Sequence, residues 1–353
     1  MTESGFRPPQ DIVAMPWDRL AACLAGEGLD FDPTSAPRQF SGGMGNLNYL
    51  ITVDGRDAVL RRPPLGPIPP GANDMKREHT VLKRLWSAFP LAPRSLFYCA
   101  DEDVLGAHFL IMEYRAGRTI RGSAWPAETD ASTRHDICRR VVETLAALHA
   151  VDPAAVGLGE FGRPDGFLER TVRGWAKRAT IATDGIVGGP TEEVASWLEA
   201  NMTPGGAATM LHNDFKLDNM LFAEDDWRRP VAVLDWDQAT RGDPLFDLAT
   251  LLSYWSEPGD PQAMVLLDQM PTGAPGSMTR AEARDLYAEI TGRDLSDFRF
   301  FRALGMFKLA VVFLQLYAQY RRGTVSDPKY EPFEAVGNGI MEMAHEVARG
   351  RAE

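Results

Sequence analysis

A run of eight residues near the middle of the chain carries the side-chain types that phosphoryl transfer requires. Residues 212–219 read His-Asn-Asp-Phe-Lys-Leu-Asp-Asn, so Asp214 is followed five positions later by Asn219. An apolar run at residues 231–234 then leads directly to Asp235. Phosphoryl transfer depends on positioning and charge neutralisation more than on covalent chemistry. Asp214 is therefore the candidate that orients an acceptor hydroxyl and accepts its proton.

Asn219 and Asp235 are candidate ligands for Mg²⁺. Both supply hard oxygen donors, and Mg²⁺ in proteins keeps several waters while it bridges nucleotide phosphates. A single His-x-Asp-x-x-x-x-Asn match can arise by chance in a loop, and acidic residues usually face solvent. The apolar run that ends immediately before Asp235 makes chance a poor explanation of the whole arrangement.

The loop at residues 212–219, followed by a strand and an Asp, resembles the catalytic and metal loops of the aminoglycoside-phosphotransferase and choline-kinase-like families. The resemblance implies an α+β, bilobal fold similar to that of protein kinases, with ATP or GTP as the phosphoryl donor. A small β-rich N-lobe with one main helix, residues 1–115, would bind the nucleotide. A larger helical C-lobe, residues 116–353, would carry both loops and the acceptor pocket. Trp236 stands where protein kinases carry Phe-Gly, which favours the small-molecule branch.

Two further residues are predicted to support the catalytic loop. His212 is interpreted as a structural residue that braces the loop and not as a base. In the motif at residues 242–247, Asp243 is a good helix N-cap and Pro244 a good first helical residue. The resemblance implies that Asp247, the last residue of this motif, holds the catalytic loop through backbone amides.

A Gly-rich turn in the N-terminal third is the candidate phosphate-covering segment. Gly43, Met44, Gly45 and Asn46 lie between two β-type runs, and backbone N–H groups in such a turn can cover phosphates. An ordinary hairpin turn explains the same residues. The turn is not a P-loop, because no Gly-Lys-Ser/Thr occurs in the chain. It is a poor dinucleotide fingerprint, because Asn48 replaces the third Gly.

A cation on the next strand and a carboxylate on the following helix form a predicted ion pair. In the family resemblance Arg61 occupies the position of a strand-borne Lys, and Glu78 is its candidate partner. Arg62 is the alternative, and strand alternation places it on the opposite face from Arg61 and Val59. Arginine keeps the charge and can pair bidentately with a carboxylate, but its planar fork does not reproduce the geometry of lysine.

The segment from Glu113 to Arg115 resembles the lobe-connecting hinge of the kinase-like families. In those families backbone groups of the hinge would read the edge of the adenine. An ordinary strand end explains the segment almost as well.

Three stretches are similar to one branch of the family, namely residues 59–64, 148–158 and 161–175. This branch comprises phosphotransferase domains that are fused to, or encoded near, acyl-CoA dehydrogenases, and arginine at the lysine position is usual in it. The association suggests a hydroxylated acyl acceptor, such as a hydroxyacyl-CoA, over an antibiotic. Fold and branch do not by themselves fix a substrate.

The elements that position these residues follow from hydrophobic periodicity. Two strand-like runs, residues 48–53 and 58–61, flank an Asp-Gly turn, which is typical of a β-hairpin. Residues 104–114 contain a further strand-like run. Apolar spacing predicts helices at residues 17–28, 74–87, 135–150, 279–291 and 297–320, and a Thr-x-x-Glu capping box begins the fourth of them.

Composition excludes several classes of partner. A formal charge of −12 argues against nucleic-acid binding, which relies on clustered Lys and Arg. The longest apolar stretch, near residues 309–317, is shorter than the roughly 20 residues of a membrane helix. With a polar N-terminus, a soluble cytoplasmic protein without a membrane partner is expected. The three cysteines are expected to be reduced thiols, and the oligomeric state is not indicated.

The motifs leave more than one function open. A kinase that acts on a small hydroxyl compound uses all of them. A nucleotide-binding pseudokinase or scaffold is the alternative, and the missing strand lysine is the feature that supports it. A protein kinase is disfavoured, because no Asp-Phe-Gly and Ala-Pro-Glu pair bounds an activation segment.

Overall fold

The computed structural model describes residues 5–35, 37–41, 45–66, 73–185, 188–325 and 327–352. The chain divides into two compact units. Unit 1 comprises Met1–Thr119, Ala154–Gly159 and Asn219–Ala239, and unit 2 comprises Ile120–Pro153, Glu160–Asp218 and Thr240–Glu353. Unit 1 contains a small antiparallel sheet and unit 2 is mainly helical, which agrees with the α+β class expected from the sequence.

Unit 1 is built on a five-stranded antiparallel sheet. Its strands are β1 (Arg38–Gln39), β2 (Leu47–Val53), β3 (Arg56–Arg62), β4 (Ser95–Cys99) and β5 (Phe109–Glu113). Their spatial order is β1-β2-β3-β5-β4. Asp54 and Gly55 join β2 to β3 with φ values of 50° and 70°. These left-handed values match the turn that hairpins favour, so the predicted hairpin is confirmed.

In the described part of unit 1, three α-helices accompany the sheet, namely α1 (Trp17–Gly26), α2 (Met75–Leu85) and α3 (Glu102–Leu105). The predictions for the first two are confirmed to within two residues at each end. Asp74 caps α2, since its side chain accepts a hydrogen bond from the Arg77 backbone N–H. The strand-like run predicted within residues 104–114 is present as β5, which occupies the second half of that range. Before that strand, Asp101 caps the short helix α3, Gly106 ends the helix at φ 77°, and β5 begins at residue 109.

One face of the sheet packs on α1. Tyr49, Leu60 and Phe109 are fully buried on the sheet, and Leu20 and Leu24 of α1 are fully buried in the same cluster. Burying a large apolar side chain stabilises the fold by about 1.5–3 kcal/mol. This cluster therefore holds β3, the strand that carries Arg61, in a fixed position.

Two short ribbons lie beside the candidate loops in the sequence. In unit 2, β6 (Thr209–Leu211) pairs with β9 (Thr240–Gly242), and in unit 1, β7 (Met220–Phe222) pairs with β8 (Pro230–Val233). Both pairings are antiparallel. The strand predicted before Asp235 is therefore present as β8.

The other α-helices of the described residues lie in unit 2. They are α4 (Ala131–His149), α5 (Phe167–Ala182), α6 (Pro190–Ala200), α7 (Pro244–Tyr254), α8 (Gln262–Leu267), α9 (Arg280–Thr291), α10 (Phe298–Arg321) and α11 (Phe333–Ala348). The 24-residue α10 is central and packs on α5, α6, α7 and α11. The predicted capping box of α9 is confirmed, because the Thr279 side chain and the Glu282 side chain bond each other's backbone N–H groups.

Helix α10 is long and apolar enough to cross a membrane by length and composition alone. However, 78% of its most apolar 18-residue window is buried inside the protein, as is usual for a core helix. The helix predicted at residues 297–320 is confirmed as α10. The apolar run near residues 309–317 is shorter than this helix, because Lys308 interrupts the run while the helix continues through it.

The three cysteines are free thiols, as expected. The Sγ atoms of Cys23 and Cys99 lie 3.9 Å apart. Burial raises the pKa of the Cys23 thiol to about 11 and that of the Cys138 thiol to about 12. Both groups are therefore protonated near neutral pH, a form that is a poor nucleophile.

Candidate active site

Asp247 holds the loop that follows β6 through hydrogen bonds to the loop backbone. This residue lies in the first turn of α7 and is fully buried. Its Oδ2 accepts a hydrogen bond of 2.6 Å from the His212 backbone N–H, and its Oδ1 accepts one of 2.7 Å from the Asn213 backbone N–H. Asp247 therefore bonds backbone amides of the loop, as the resemblance implied.

A second buried group, His149, contacts Asp247. The His149 Nε2 atom lies 3.4 Å from Asp247 Oδ2, and Nδ1 lies 2.7 Å from the Tyr287 hydroxyl. Burial alone would raise the pKa of Asp247, but the hydrogen bond and charge of His149, with the contribution of His212, lower it below its usual value. His149 was not among the site residues predicted from the sequence, although a histidine near the end of a buried helix face was a usable signal.

His212 is itself buried within the loop that it begins. Its Nδ1 atom accepts a hydrogen bond of 3.3 Å from the Asp214 backbone N–H, and its ring packs edge-on against Phe215. A ring that accepts a backbone hydrogen bond fixes the conformation of the next residues. These contacts are the kind that a bracing residue makes.

Asp214 is held at both carboxylate oxygens. The Tyr254 hydroxyl donates a 3.0 Å hydrogen bond to Oδ1, and the Lys216 ammonium lies 3.5 Å from Oδ2. Burial would raise the pKa of Asp214, but the charges of Lys216 and Lys308 and the Tyr254 hydrogen bond lower it. Asp214 is therefore an ionised, oriented carboxylate at neutral pH, as a proton acceptor must be.

Helix α7 supplies both Asp247 and Tyr254. The two residues are seven positions apart, close to two helical turns, so they lie on the same face. One helix thereby positions the loop backbone at His212 and the loop carboxylate at Asp214. Tyr254 was not predicted from the sequence, because nothing in its neighbours identifies it as a partner of a residue 40 positions earlier.

Lys308, in the middle of α10, is a buried cation beside the same loop. Its ammonium donates a hydrogen bond to the Asn213 backbone carbonyl and lies 5.2 Å from the centre of the Phe246 ring. Burial lowers the pKa of Lys308, while the carboxylates of Asp214 and Asp247 oppose that effect. A lone lysine inside a long apolar helix was the available signal in the sequence.

In unit 1, the predicted ion pair between Arg61 and Glu78 is present. Arg61 Nε donates to Glu78 Oε2 at 2.8 Å, and both side chains are buried. Arg61 Nη2 also pairs with the carboxylate of Asp235, and Nη1 lies 3.4 Å from Asn48 Oδ1. Although burial opposes the charge, the carboxylates of Asp235, Glu78 and Asp237 raise the pKa of Arg61. Arg61 therefore remains a cation.

The antiparallel β7–β8 pairing brings the two candidate metal ligands together. Met220 lies opposite Val233, and the Leu234 backbone N–H donates 2.8 Å to the Asn219 carbonyl. Asn219 is thus hydrogen-bonded to Leu234, the residue that precedes Asp235. The Asp235 backbone has φ 69°, a left-handed conformation that Asp tolerates better than most residues.

An amide oxygen and a carboxylate at one end of a ribbon fit a small hard cation. Asn219 is buried, and the Asp235 side chain is 38% exposed, so the carboxylate can be reached from solvent. Two protein oxygens would leave the remaining positions to water and phosphate oxygens, as Mg²⁺ prefers. The Trp236 backbone N–H, 3.3 Å from Glu78 Oε1, fixes the chain just after Asp235, the candidate ligand.

The other predicted nucleotide-binding residues have the following positions. Gly43 and Met44 lie outside the described residues. Asn46 Oδ1 accepts a 2.8 Å hydrogen bond from the Asn73 side chain, and a Cβ at Gly45 would lie 3.1 Å from the same Asn73 amide nitrogen. The close approach favours glycine at position 45.

Glu113 and Arg115 lie at the end of β5, where the hinge was predicted. Their side chains pair with each other at 2.9 Å, and Glu113 Oε2 also accepts from the Arg94 backbone N–H at 3.2 Å. Both side chains are thus engaged locally. Reading of a nucleotide base by this segment stays a prediction.

Comparisons with known proteins are consistent with these features. The chain matches the family model described as "Phosphotransferase enzyme family" over residues 37–280. Acyl-CoA dehydrogenase family member 11 of Gallus gallus is 32% identical over 340 residues, which cover 94% of this chain and 42% of that protein. The chain thus spans less than half the length of this relative.

Two solved structures share the fold. A Ralstonia eutropha protein, provisionally described as an aminoglycoside phosphotransferase, is 26% identical with a TM-score of 0.77 and covers 96% of this chain and 99% of its own. A thermostable mutant of aminoglycoside phosphotransferase APH(4)-Ia, solved with AMP-PNP and hygromycin B, has 16% identity and a TM-score of 0.59 over 93% of this chain and 98% of its own. The α+β kinase-like fold predicted from the sequence is thereby confirmed. By its family match and its relatives, the chain belongs to the phosphotransferase enzyme family.

Proposed function

We propose that this protein transfers the γ-phosphoryl group of ATP or GTP to a hydroxyl group of a small molecule. The observation that carries the proposal is Asp214, an ionised carboxylate held at both oxygens in a loop braced by Asp247. A carboxylate fixed in this way is suited to orient one hydroxyl and accept its proton.

In the proposed reaction the acceptor oxygen attacks the γ-phosphorus. A new oxygen–phosphorus bond forms, the bond to the bridging oxygen of the nucleoside diphosphate breaks, and the hydroxyl proton passes to Asp214. The lowered pKa of Asp214 keeps it unprotonated before this step. Lys216 and Tyr254 hold the carboxylate against rotation.

Asn219 and Asp235 would hold Mg²⁺. When bound, this ion neutralises the charge of the nucleotide phosphates and of the phosphoryl group in transfer. Arg61 is already paired with Asp235 and Glu78, and it would share that carboxylate with the metal. The guanidinium would also supply positive charge near the phosphates, in place of the usual lysine.

For the acceptor, we propose a hydroxylated acyl compound such as a hydroxyacyl-CoA. The support is the similarity to a protein named acyl-CoA dehydrogenase family member 11, which this chain matches over 42% of that protein's length. Aminoglycosides and macrolides, the compounds named for more distant structural neighbours, are the alternative acceptors. A transfer screen over hydroxyacyl-CoAs, free hydroxy acids, choline-like alcohols and aminoglycosides distinguishes them.

Asp214→Asn tests the base assignment. The variant keeps the size of the side chain and removes the proton acceptor, so transfer to any acceptor found in the screen should fall by at least about a hundredfold. Nucleotide binding, measured by calorimetry, should survive. Asp225→Asn, at an exposed carboxylate, is the matched control. Equal turnover in Asp214→Asn and wild type would reject the assignment.

A catalytically weak nucleotide-binding pseudokinase is the second candidate. The pairing of Arg61 with Asp235 favours it, because a cation at that carboxylate competes with a metal. Thermal stabilisation by ATP with Mg²⁺, without turnover on any acceptor, would support this candidate. Loss of that stabilisation in Asp235→Asn, which retains a side chain that tolerates φ 69°, would support metal-bridged nucleotide binding in either case.

A further inference from the structure

Unit 1 contains a cavity that none of the residues assigned above lines. Its volume is about 450 Å³, within the range of about 300–1,000 Å³ that is common for small-molecule sites. Apolar side chains form much of its wall, among them Met15, Pro64, Leu65 and Val104. The one buried charged side chain in this wall is Arg62.

Arg62 is only 4% exposed and bonds neutral acceptors alone. Its Nε donates 3.0 Å to the Pro63 carbonyl, and its Nη1 donates 2.7 Å to the Leu105 carbonyl and lies 3.7 Å from the Met15 sulfur. Within the described ranges no carboxylate forms an ion pair with it, and no hydrogen bond is formed by Nη2. A buried guanidinium therefore keeps one amino group for a ligand.

The neighbouring arginine shows what a buried guanidinium ordinarily requires. Arg61, one residue earlier on β3 and equally buried, is matched by the carboxylates of Glu78 and Asp235. A buried charge without a partner is costly, because the protein replaces its lost hydration poorly. The pKa of Arg62 is accordingly lowered by burial. An anion in the cavity would supply the missing counter-charge.

The rim of the cavity limits the charge of that anion. Glu102 and Asp103 line it, and Glu102 is largely exposed, 3.7 Å from His108. A second cation, Arg19, also lines the cavity and donates 2.9 Å to the Asp103 carbonyl. Two rim carboxylates repel a polyphosphate more than a single carboxylate, so the balance of charge favours a ligand with one negative charge.

We propose that this cavity binds an organic monoanion, a carboxylate on a short apolar chain. The Arg62 Nη2 group donates to the carboxylate, and the chain lies against Met15, Pro64 and Leu65. Charge-assisted hydrogen bonds to a carboxylate are among the stronger polar contacts in proteins. The site is independent of the proposed phosphoryl transfer, because it uses none of the residues assigned to that reaction.

Hexanoate is the probe for this site, with hexan-1-ol and inorganic phosphate as comparisons. Titration calorimetry and thermal unfolding of the full chain should show saturable binding of hexanoate, with an affinity at least about tenfold above that of hexan-1-ol. Equal affinity for hexanoate and hexan-1-ol would overturn the role of the charge. Equal affinity for hexanoate and phosphate would overturn the role of the apolar chain.

Two variants and a matched control complete the test. Arg62→Met should weaken hexanoate binding at least about tenfold. If that variant does not fold, Leu65→Glu serves instead, because Leu65 is 63% exposed and the new carboxylate at the cavity wall repels the ligand without disturbing the core. Leu96→Glu, at an exposed leucine outside the cavity, should bind as the wild type does. Unchanged binding in Arg62→Met or in Leu65→Glu would refute the site.

Discussion

The Tyr254 hydroxyl donates a 3.0 Å hydrogen bond to Oδ1 of Asp214, and it does so from the last residue of the helix whose first turn holds the loop backbone. The Asp214 carboxylate and the backbone N–H groups of His212 and Asn213 are thus all bonded by side chains of α7. Substitutions at either end of α7 should therefore alter different properties of the same loop.

Tyr254→Phe should reduce kcat/KM by about tenfold, since a hydrogen bond to a charged group is lost. A hydrogen bond to the ionised form lowers a pKa, so its removal raises the pKa of Asp214. The acidic limb of the pH–rate profile should accordingly move to higher pH. Tyr320→Phe, at a partly exposed tyrosine of α10, is the control. A lower rate with an unmoved acidic limb would contradict the electrostatic role.

Asp247→Asn should change how stability depends on pH. The folded-state pKa of Asp247 lies below its usual value of about 3.9. The stability that ionised Asp247 contributes is therefore fully present at a pH above about 3.9. The contribution is lost as pH falls through the lower folded-state pKa. Urea unfolding at pH 7 and at lower pH should show the loss in the wild type only. Parallel pH dependences in the two proteins would refute this account.

Arg61→Met should destabilise the protein by about 3–5 kcal/mol, because Glu78 would remain buried without its cation. The double variant Arg61→Met with Glu78→Met should recover most of that stability, since the buried carboxylate is removed with its cation and Asp235, the other partner of Arg61, is 38% exposed. The stability of Arg61→Lys should lie between the stabilities of the single and the double methionine variants. Denaturant unfolding measures all three. A double variant less stable than the single one would show that the pair contributes more than mutual neutralisation.

Thr279→Ala should lower the stability of the protein by about 1 kcal/mol, because it removes the N-cap hydrogen bond of α9. Thr291→Ala, in the last position of the same helix, removes a hydroxyl that bonds the Tyr287 carbonyl and should cost less. Thermal unfolding compares the two. Equal losses would argue against a specific effect of the cap.

Local signals in the sequence predicted the hairpin, several helices and the order of the loop residues. The Asp54-Gly55 turn and the capping box of α9 are each fixed by a few neighbouring residues, so a short window contains the information. The ion pair of Arg61 and Glu78 was also accessible, because the family pattern places both residues at recognisable positions.

Contacts made by tertiary packing were not predictable in the same way. Tyr254 and Lys308 reach the candidate catalytic loop from 40 and 95 residues away in the sequence, and no local pattern specifies those separations. The partner of Asp247, His149, is nearly a hundred residues earlier. Buried polar residues on otherwise apolar helix faces were the only hint, and such residues have many structural explanations.

The position of Lys308 in the sequence indicates where an expressed fragment of a longer relative should end. The family match ends at residue 280, whereas the helix that carries this lysine begins only at Phe298. A fragment trimmed to the matched region would lose the lysine that bonds the Asn213 carbonyl and the central helix on which four others pack. Expression boundaries for longer relatives should therefore extend through the equivalent of α11.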